Sequence, residues 1–270
     1  MVKRILVAFV LLAIGLPVVY FGGIPYFFLI AIFIVGAAWE YVRIFRAISL
    51  APSMWLTIAG VLLILLARYF FPAYAIPVLA FTILAAMAVH LVEFERGSEH
   101  SATDFAVTVS ALVYIGWIGA YLLDLRMLDG RDGCWYLLLV LGVIWLADAG
   151  AYFYGSRFGR HKMVPRLSPK KTWEGYWAGV VIGTLGGAGL AVLWHALGGP
   201  DVRWWQGGLL GLVLSVVTAL GDLGESMIKR QAGVKDSSNV IPGHGGFFDR
   251  IDSWLWGAVM GYFIIIWFIR

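Results

Sequence analysis

Residues 134–154 read CWYLLLVLGVIWLADAGAYFY, an apolar stretch that carries a single charge, Asp148. A run of about twenty such residues is what a helix needs to cross roughly 30 Å of hydrocarbon. Comparable runs occur at 5–21, 24–42, 54–71, 73–92, 105–123, 134–154, 175–197, 206–225 and 253–269. They are continuous rather than alternating, which predicts helices and not barrel strands. The expected fold is all-α: a polytopic transmembrane helical bundle of about nine spans. It is read as one membrane-embedded domain over 1–270, with N-terminal helices in 1–130 and the chemistry-bearing helices and loops in 131–270. The third and fourth runs touch at Pro72, so their boundary is the least defined.

Composition agrees. Hydrophobic residues make up 61% of the chain and charged residues 13%, about half the usual ~25% for a soluble domain. That leaves too little polar surface to cover a water-soluble fold of this size. The net charge of +4 is the excess of Lys and Arg expected on one side of a membrane protein. No basic arm lies outside the apolar runs, so no nucleic-acid partner is expected. Cys134 is the lone cysteine, which excludes a disulfide framework and a cysteine-based zinc site. The run at 5–21 follows Lys3 and Arg4 but lacks a small-residue cleavage site; it reads as a retained helix.

With the N-terminus inside, fifteen Lys and Arg fall on inner segments and five (Arg68, Arg126, Arg131, Arg203, Arg270) outside. The expected orientation is therefore N-in and C-out. Two inner segments, 155–174 and 226–252, are polar, Gly-rich and unusually charged. Glycines at four-residue spacing (Gly179, Gly183, Gly187; Gly207, Gly211; Gly257, Gly261) fit close helix packing. For the same reason Gly183 to Gly189, inside an apolar run, reads as packing and not as a nucleotide loop.

Ionisable residues near membrane depth are expensive and face protein, water or an ion. At the end of the eighth run, Asp222, Ser226 and Lys229 lie at i, i+4 and i+7 on one helical face, and Glu225 shares it with Asp222. An ion pair between Glu225 and Lys229 is the plainer alternative. In the following loop, Gly243, Gly245 and Gly246 surround His244, a composition that lets backbone approach a ligand closely. Asp249 and Asp252 can face one point if a helix begins there, although Asp252 or Ser253 would serve equally as its N-cap. Hard oxygen ligands without cysteine suit Mg²⁺ rather than zinc. Ser168-Pro169 reads as an N-cap followed by proline, which places Lys170 and Lys171 in a first helical turn, where an anion would reconcile their charge with the helix dipole. Asp148, deep in its run, is expected to face the bundle interior. Glu40 reads as interfacial beside Arg43. His90, His161 and His195 show no partner pattern.

The segment SMIKRQAGVKDSSNVIPGHGGFFDRID, Ser226 to Asp252, resembles the signature of the phosphatidate cytidylyltransferase (CDP-diglyceride synthetase) family: a serine, then Lys229-Arg230, Lys235-Asp236, His244-Gly245-Gly246 and Asp249-Arg250-Ile251-Asp252. SPKKTWEG at 168–175 is similar to a second family motif, and Asp148 with Tyr152 and Gly155 to a third. The resemblance covers roughly the last 130 residues well. In the first 130 it holds only in character, including Trp39-Glu40.

The resemblance implies an enzyme of the bacterial inner membrane, a homodimer among membrane lipids with its site on the cytoplasmic side. It would use CTP, phosphatidic acid and Mg²⁺, and some members carry a second, monovalent cation such as K⁺. It further implies Asp222 and Asp249 as the leading metal ligands, with Asp252 and Ser226 close by. Lys229 and Arg230 complete the catalytic set. Substrate contacts fall to Asp148, Ser168, Lys170, Lys171, Lys235, His244, Gly245, Gly246 and Arg250. A transporter is the main rival from another class; the charges gather on two segments of one face and no inverted repeat is visible, which argue against it. A CTP-dependent transferase or kinase acting on another lipid is the nearer rival.

Overall fold

The computed structural model describes residues 13–241 and 245–270. Residues 5–12 of the first expected span, and His244 with Pro242 and Gly243, lie outside the described residues. Helix covers 13–21. Seven longer apolar helices follow, each of 22 to 28 residues and long enough to cross a bilayer: α1 (Gly23–Arg46), α3 (Pro72–Glu95), α4 (Ser101–Met127), α5 (Asp132–Phe158), α6 (Trp173–Ala196), α7 (Trp204–Gln231) and α8 (Phe248–Ile269). Between α1 and α3 lies the shorter apolar helix α2 (Met54–Phe70); at ~1.5 Å per residue it is about 26 Å long. The polytopic helical bundle read from the sequence is thus the fold. At Pro72 helix α2 stops and a 3₁₀ turn, Pro72–Tyr74, opens α3, because proline has no N–H to continue the ladder.

The chain forms two compact units, one of residues up to Asp124 plus Ile228–Ile251, the other of Leu125–Met227 plus Asp252–Arg270.

In the first unit, α1 buries Tyr26, Ile30, Ile34, Ala37, Ala38 and Tyr41, one face at three- and four-residue spacing, and leaves Phe28 and Ile32 exposed for an apolar solvent. A Cβ on Gly60 of α2 would lie 2.5 Å from Leu112 of α4, so glycine lets these helices touch. Arg68 sits over the rings of Trp117 and Tyr121, at 4.4 and 4.6 Å, and donates to Asp124. His90 bridges α3 to α4 through Thr108 Oγ1, at 3.0 Å, and Asp104 accepts the Ala51 N–H at 2.7 Å.

In the second unit, glycines again mark the helix contacts. A Cβ on Gly179 would lie 2.8 Å from the Ala147 carbonyl, and one on Gly175 2.8 Å from that of Ala151, so α5 and α6 approach backbone to backbone. Gly183, Gly187, Gly207 and Gly211 do the same for α6 and α7, while Gly257 and Gly261 of α8 make room for the side chains of Ile144 and Val140. Between α5 and α6, strands β1 (Lys162–Val164) and β2 (Ser168–Thr172) form an antiparallel hairpin pairing Lys162 with Thr172 and Val164 with Ser168.

This hairpin corrects the reading of Ser168 as a helix cap. Thr172 is the N-cap of α6, extended and accepting the Gly175 N–H at 3.3 Å. Lys170 and Lys171 therefore precede the helix on a strand, and the acid in its first turn is Glu174, the sign the helix dipole favours. Glu174 also accepts the N–H groups of Arg160 and His161 and pairs with the His161 imidazole at 2.6 Å, tying the base of the hairpin to α6.

Candidate active site

Consider first the second unit. A Cβ on Gly221 would collide with the Asp252 carbonyl and lie 2.9 Å from Trp256; its absence lets α7 and α8 meet at their backbones. That approach gathers Asp222 and Glu225 from α7 with Asp252 from α8. One ligand oxygen from each lies within 4.8 Å of the others, Glu225 buried and the two aspartates half-buried. Asp222 Oδ2 receives Lys171 Nζ at 2.6 Å, and Ser226 Oγ donates to Asp222 Oδ1 at 3.3 Å. The Ser253 N–H donates to Asp252 Oδ1 at 2.6 Å.

Three carboxylates gathered this closely repel one another. At an effective dielectric near 20, two unit charges 4.8 Å apart repel by about 3.5 kcal/mol. A hard divalent cation bound by oxygen relieves that repulsion, and the donor set, all carboxylate with a hydroxyl beside it, fits Mg²⁺ rather than zinc.

The first unit holds the other half of the predicted residues. Lys229 Nζ meets Asp249 Oδ1 at 2.5 Å, with side-chain exposures of 11% and 9%. Lys229 thus has Asp249 as an ion-pair partner. Asp249 Oδ2 accepts from the Ser237 N–H and Oγ and from the Gly246 N–H, at 3.0, 2.8 and 2.8 Å. Gly245 has φ +79°, and a Cβ there would lie 2.5 Å from Asp249 Oδ2; a side chain at Gly246 would strike Ser237 and Glu40. Both glycines are required by the carboxylates that crowd them. Arg230, Lys235 and Arg250 are exposed cations on the same segment.

Several expectations change. Helix α8 begins at Phe248, so Asp252 and Ser253 lie inside it and neither is its cap. Asp148 is exposed, not turned inward; α5 buries Leu137, Val140, Ile144 and Ala147, and Asp148 stands about 100° round from Ala147. Lys170 is exposed and Ser168 half-buried on β2.

Glu40 is the residue the sequence reading missed. It is fully buried, and it accepts from Ser237 Oγ, Ser238 Oγ and the N–H groups of Phe247 and Phe248 at 2.6–3.0 Å. Arg43, its expected companion, lies over the Trp39 ring instead. The available signal was a carboxylate in an apolar run; its partners, some two hundred residues away, left no trace in local spacing.

The family model described as the cytidylyltransferase family matches residues 2–268. Proteins named phosphatidate cytidylyltransferase are similar over nearly the whole length. The one from Synechocystis sp. is 32% identical, covering 98% of this chain and 96% of its own. That from Bacillus subtilis is 32% identical, covering 98% and 97%. That from Brucella suis is 34% identical, covering 96% and 91%. With a family match along its whole length and carboxylates gathered where the signature segment begins and ends, the chain belongs to the cytidylyltransferase family.

Proposed function

We propose that this integral membrane protein transfers the cytidylyl group of CTP to phosphatidic acid, giving CDP-diacylglycerol and pyrophosphate for phospholipid synthesis. The observation that carries the reading is the cluster of Asp222, Glu225 and Asp252 with Lys171 on Asp222, in a chain related over nearly its full length to proteins of that name.

In this reaction a phosphate oxygen of phosphatidic acid attacks the α-phosphorus of CTP, and the bond to the β-phosphate oxygen breaks. The lipid phosphate is already anionic, so little general-base help is required; the barrier is the approach of two polyanions. Mg²⁺, when bound, supplies charge neutralisation at the phosphates. Asp222, Glu225 and Asp252 would hold it; the family signature also supports Asp249 as a metal-ligating residue. The same carboxylate-rich segment suits a second, monovalent cation such as K⁺.

Lys171, which meets Asp222, would be available to a substrate phosphate where a cation is held by that carboxylate. Lys170 on the exposed strand beside it, with Arg230, Lys235 and Arg250, provides positive charge for the triphosphate and the lipid headgroup. Ser168, His244, Gly245 and Gly246 shape the loops that receive them, and Asp148 offers an acceptor for a substrate hydroxyl. The signature also supports a homodimer in a bacterial inner membrane, with the site facing the cytoplasm. The excess of Lys and Arg on 155–174 and 226–252 agrees with that side.

The test uses purified protein in detergent with radiolabelled CTP, short-chain phosphatidate and Mg²⁺, and a parallel reaction with EDTA. Lipid-extractable label that requires both phosphatidate and metal is expected. Label that appears with diacylglycerol or a polyprenol instead would replace the acceptor.

A further inference from the structure

Resting on the cytidylyl-transfer reading, we infer that Glu40 is a positioning residue for the reaction, holding Asp249 and Lys229 in register by clamping the first turn of α8. The two carboxylate oxygens divide the work evenly. Oε1 accepts from Ser238 Oγ at 2.6 Å and the Phe247 N–H at 3.0 Å. Oε2 accepts from Ser237 Oγ and the Phe248 N–H, both at 2.8 Å. The two amides open α8 and have no partner within the helix, and a negative charge is favoured at that end.

The clamp reaches the signature residues in one step. Ser237 joins the two acids: its N–H donates to Asp249 Oδ2, its hydroxyl, with one proton to share, lies 2.8 Å from both Asp249 Oδ2 and Glu40 Oε2, and Asp249 holds Lys229. A neutral Ser or Asn beside the helix would cap it locally. A wholly buried carboxylate is the costlier solution unless every oxygen is satisfied. What it adds is geometry: one rigid group fixes the loop at 237–238 and the helix at 247–248 together, and Asp249 lies between them.

Glu40→Gln is the informative change. Each oxygen receives one hydroxyl and one backbone N–H. A hydroxyl can turn to accept from an amide NH₂, but a backbone N–H cannot. Either orientation of the glutamine therefore leaves Phe247 or Phe248 facing a donor, while size and burial are preserved.

The experiment compares wild type, Glu40→Gln and Glu40→Asp as full chains in detergent. It measures amide hydrogen exchange over 245–250, kcat and KM for CTP, and the Mg²⁺ concentration for half-maximal rate. In Glu40→Gln we expect faster exchange at Phe247 and Phe248, kcat lower by about tenfold to a hundredfold as for loss of a group that orients a metal ligand, and a raised Mg²⁺ requirement, with KM for CTP changed far less. Glu40→Asp, which keeps the charge on a shorter arm, should recover part of the loss. Wild-type kcat and Mg²⁺ profile in folded Glu40→Gln overturn the inference, whatever the exchange pattern.

If Glu40→Gln fails to fold, Ser237→Ala decides. It leaves the contacts of Glu40 with the two helix amides and removes the hydroxyl link to Asp249, so a loss of kcat per folded molecule is expected, and wild-type kcat per folded molecule overturns the proposal. A wild-type protein without any CTP-dependent turnover refutes the functional reading itself; the exchange measurement still reports whether Glu40 clamps α8.

Discussion

Gly179 and Gly189 stand ten residues apart on one helix, α6, and the same substitution should act on them with opposite sign. A Cβ on Gly179 would lie 2.8 Å from the Ala147 carbonyl oxygen and 3.0 Å from the Ala151 methyl. Ordinary contact begins near 3.4 Å, so α5 and α6 would have to part by about half an ångström, and neither backbone can rotate out of the way. Overpacking of this kind costs about 1–3 kcal/mol. Around Gly189 nothing lies within 4 Å. There the alanine gains only the helix preference over glycine, about 0.8–1 kcal/mol. That gain is common to both sites, so it cancels in the difference between Gly179→Ala and Gly189→Ala, leaving about 1–3 kcal/mol of packing cost. Thermal unfolding of both variants in one detergent, followed by near-ultraviolet dichroism, measures it. Equal midpoints, or a more stable Gly179→Ala, would refute the claim that α5 and α6 meet through backbone. Turnover per folded molecule should also fall in Gly179→Ala, since α6 is led by the strand that carries Lys171.

Lys171→Met should lower turnover yet reduce the Mg²⁺ concentration that protects the protein from unfolding, because Asp222 loses its internal cation; an unchanged or raised Mg²⁺ requirement would count against the cluster as the cation site. Asp249→Asn should abolish turnover and, by removing the carboxylate that Lys229 meets, lower the stability of the protein. Adding Lys229→Met should restore most of that stability without restoring activity, which a double-mutant unfolding series would show. Thr172→Ala should cost about 1 kcal/mol by removing the N-cap of α6, with faster amide exchange at Gly175; exchange unchanged at Gly175 would return the cap to Ser168. Arg68→Met should lower the unfolding midpoint while leaving kcat per folded molecule as in wild type, because Arg68 is engaged with Trp117, Tyr121 and Asp124 and with none of the signature residues.

The spans were legible because each is a local fact: a run of apolar residues needs no partner to announce itself. Gly179, Gly183 and Gly187 were read as packing positions for the same reason, since spacing alone puts them on one helical face. The candidate site was legible only in part. Ser226, Lys229 and Asp249 stood in a segment with a family signature and Asp222 just before it, but which of them touch depended on contacts between helices. The two lysines at 170–171 were placed in a helix because Ser168-Pro169 imitates a cap; the strand partner that overrides it, Lys162–Val164, is too short to show as a period. Asp148 was turned inward by the general cost of a charge in hydrocarbon, a rule that says nothing about which helix face is open. Glu40 was underestimated because burial, unlike hydropathy, is not a property of a neighbourhood in sequence.

The separation between Glu40 and its donors, 197 to 208 positions, also sets an order of events during synthesis. At about 5–20 residues per second, roughly ten to forty seconds pass between the emergence of α1 and that of the amides which satisfy it. Over that interval a carboxylate within a membrane span has none of its final partners, at an insertion cost of about 2.5–3.5 kcal/mol if held at mid-depth. Helix α1 can therefore settle only when the beginning of α8 arrives, and a chain cut short before Phe248 would carry an unsatisfied acid in α1, a mark by which quality control could recognise an unfinished protein.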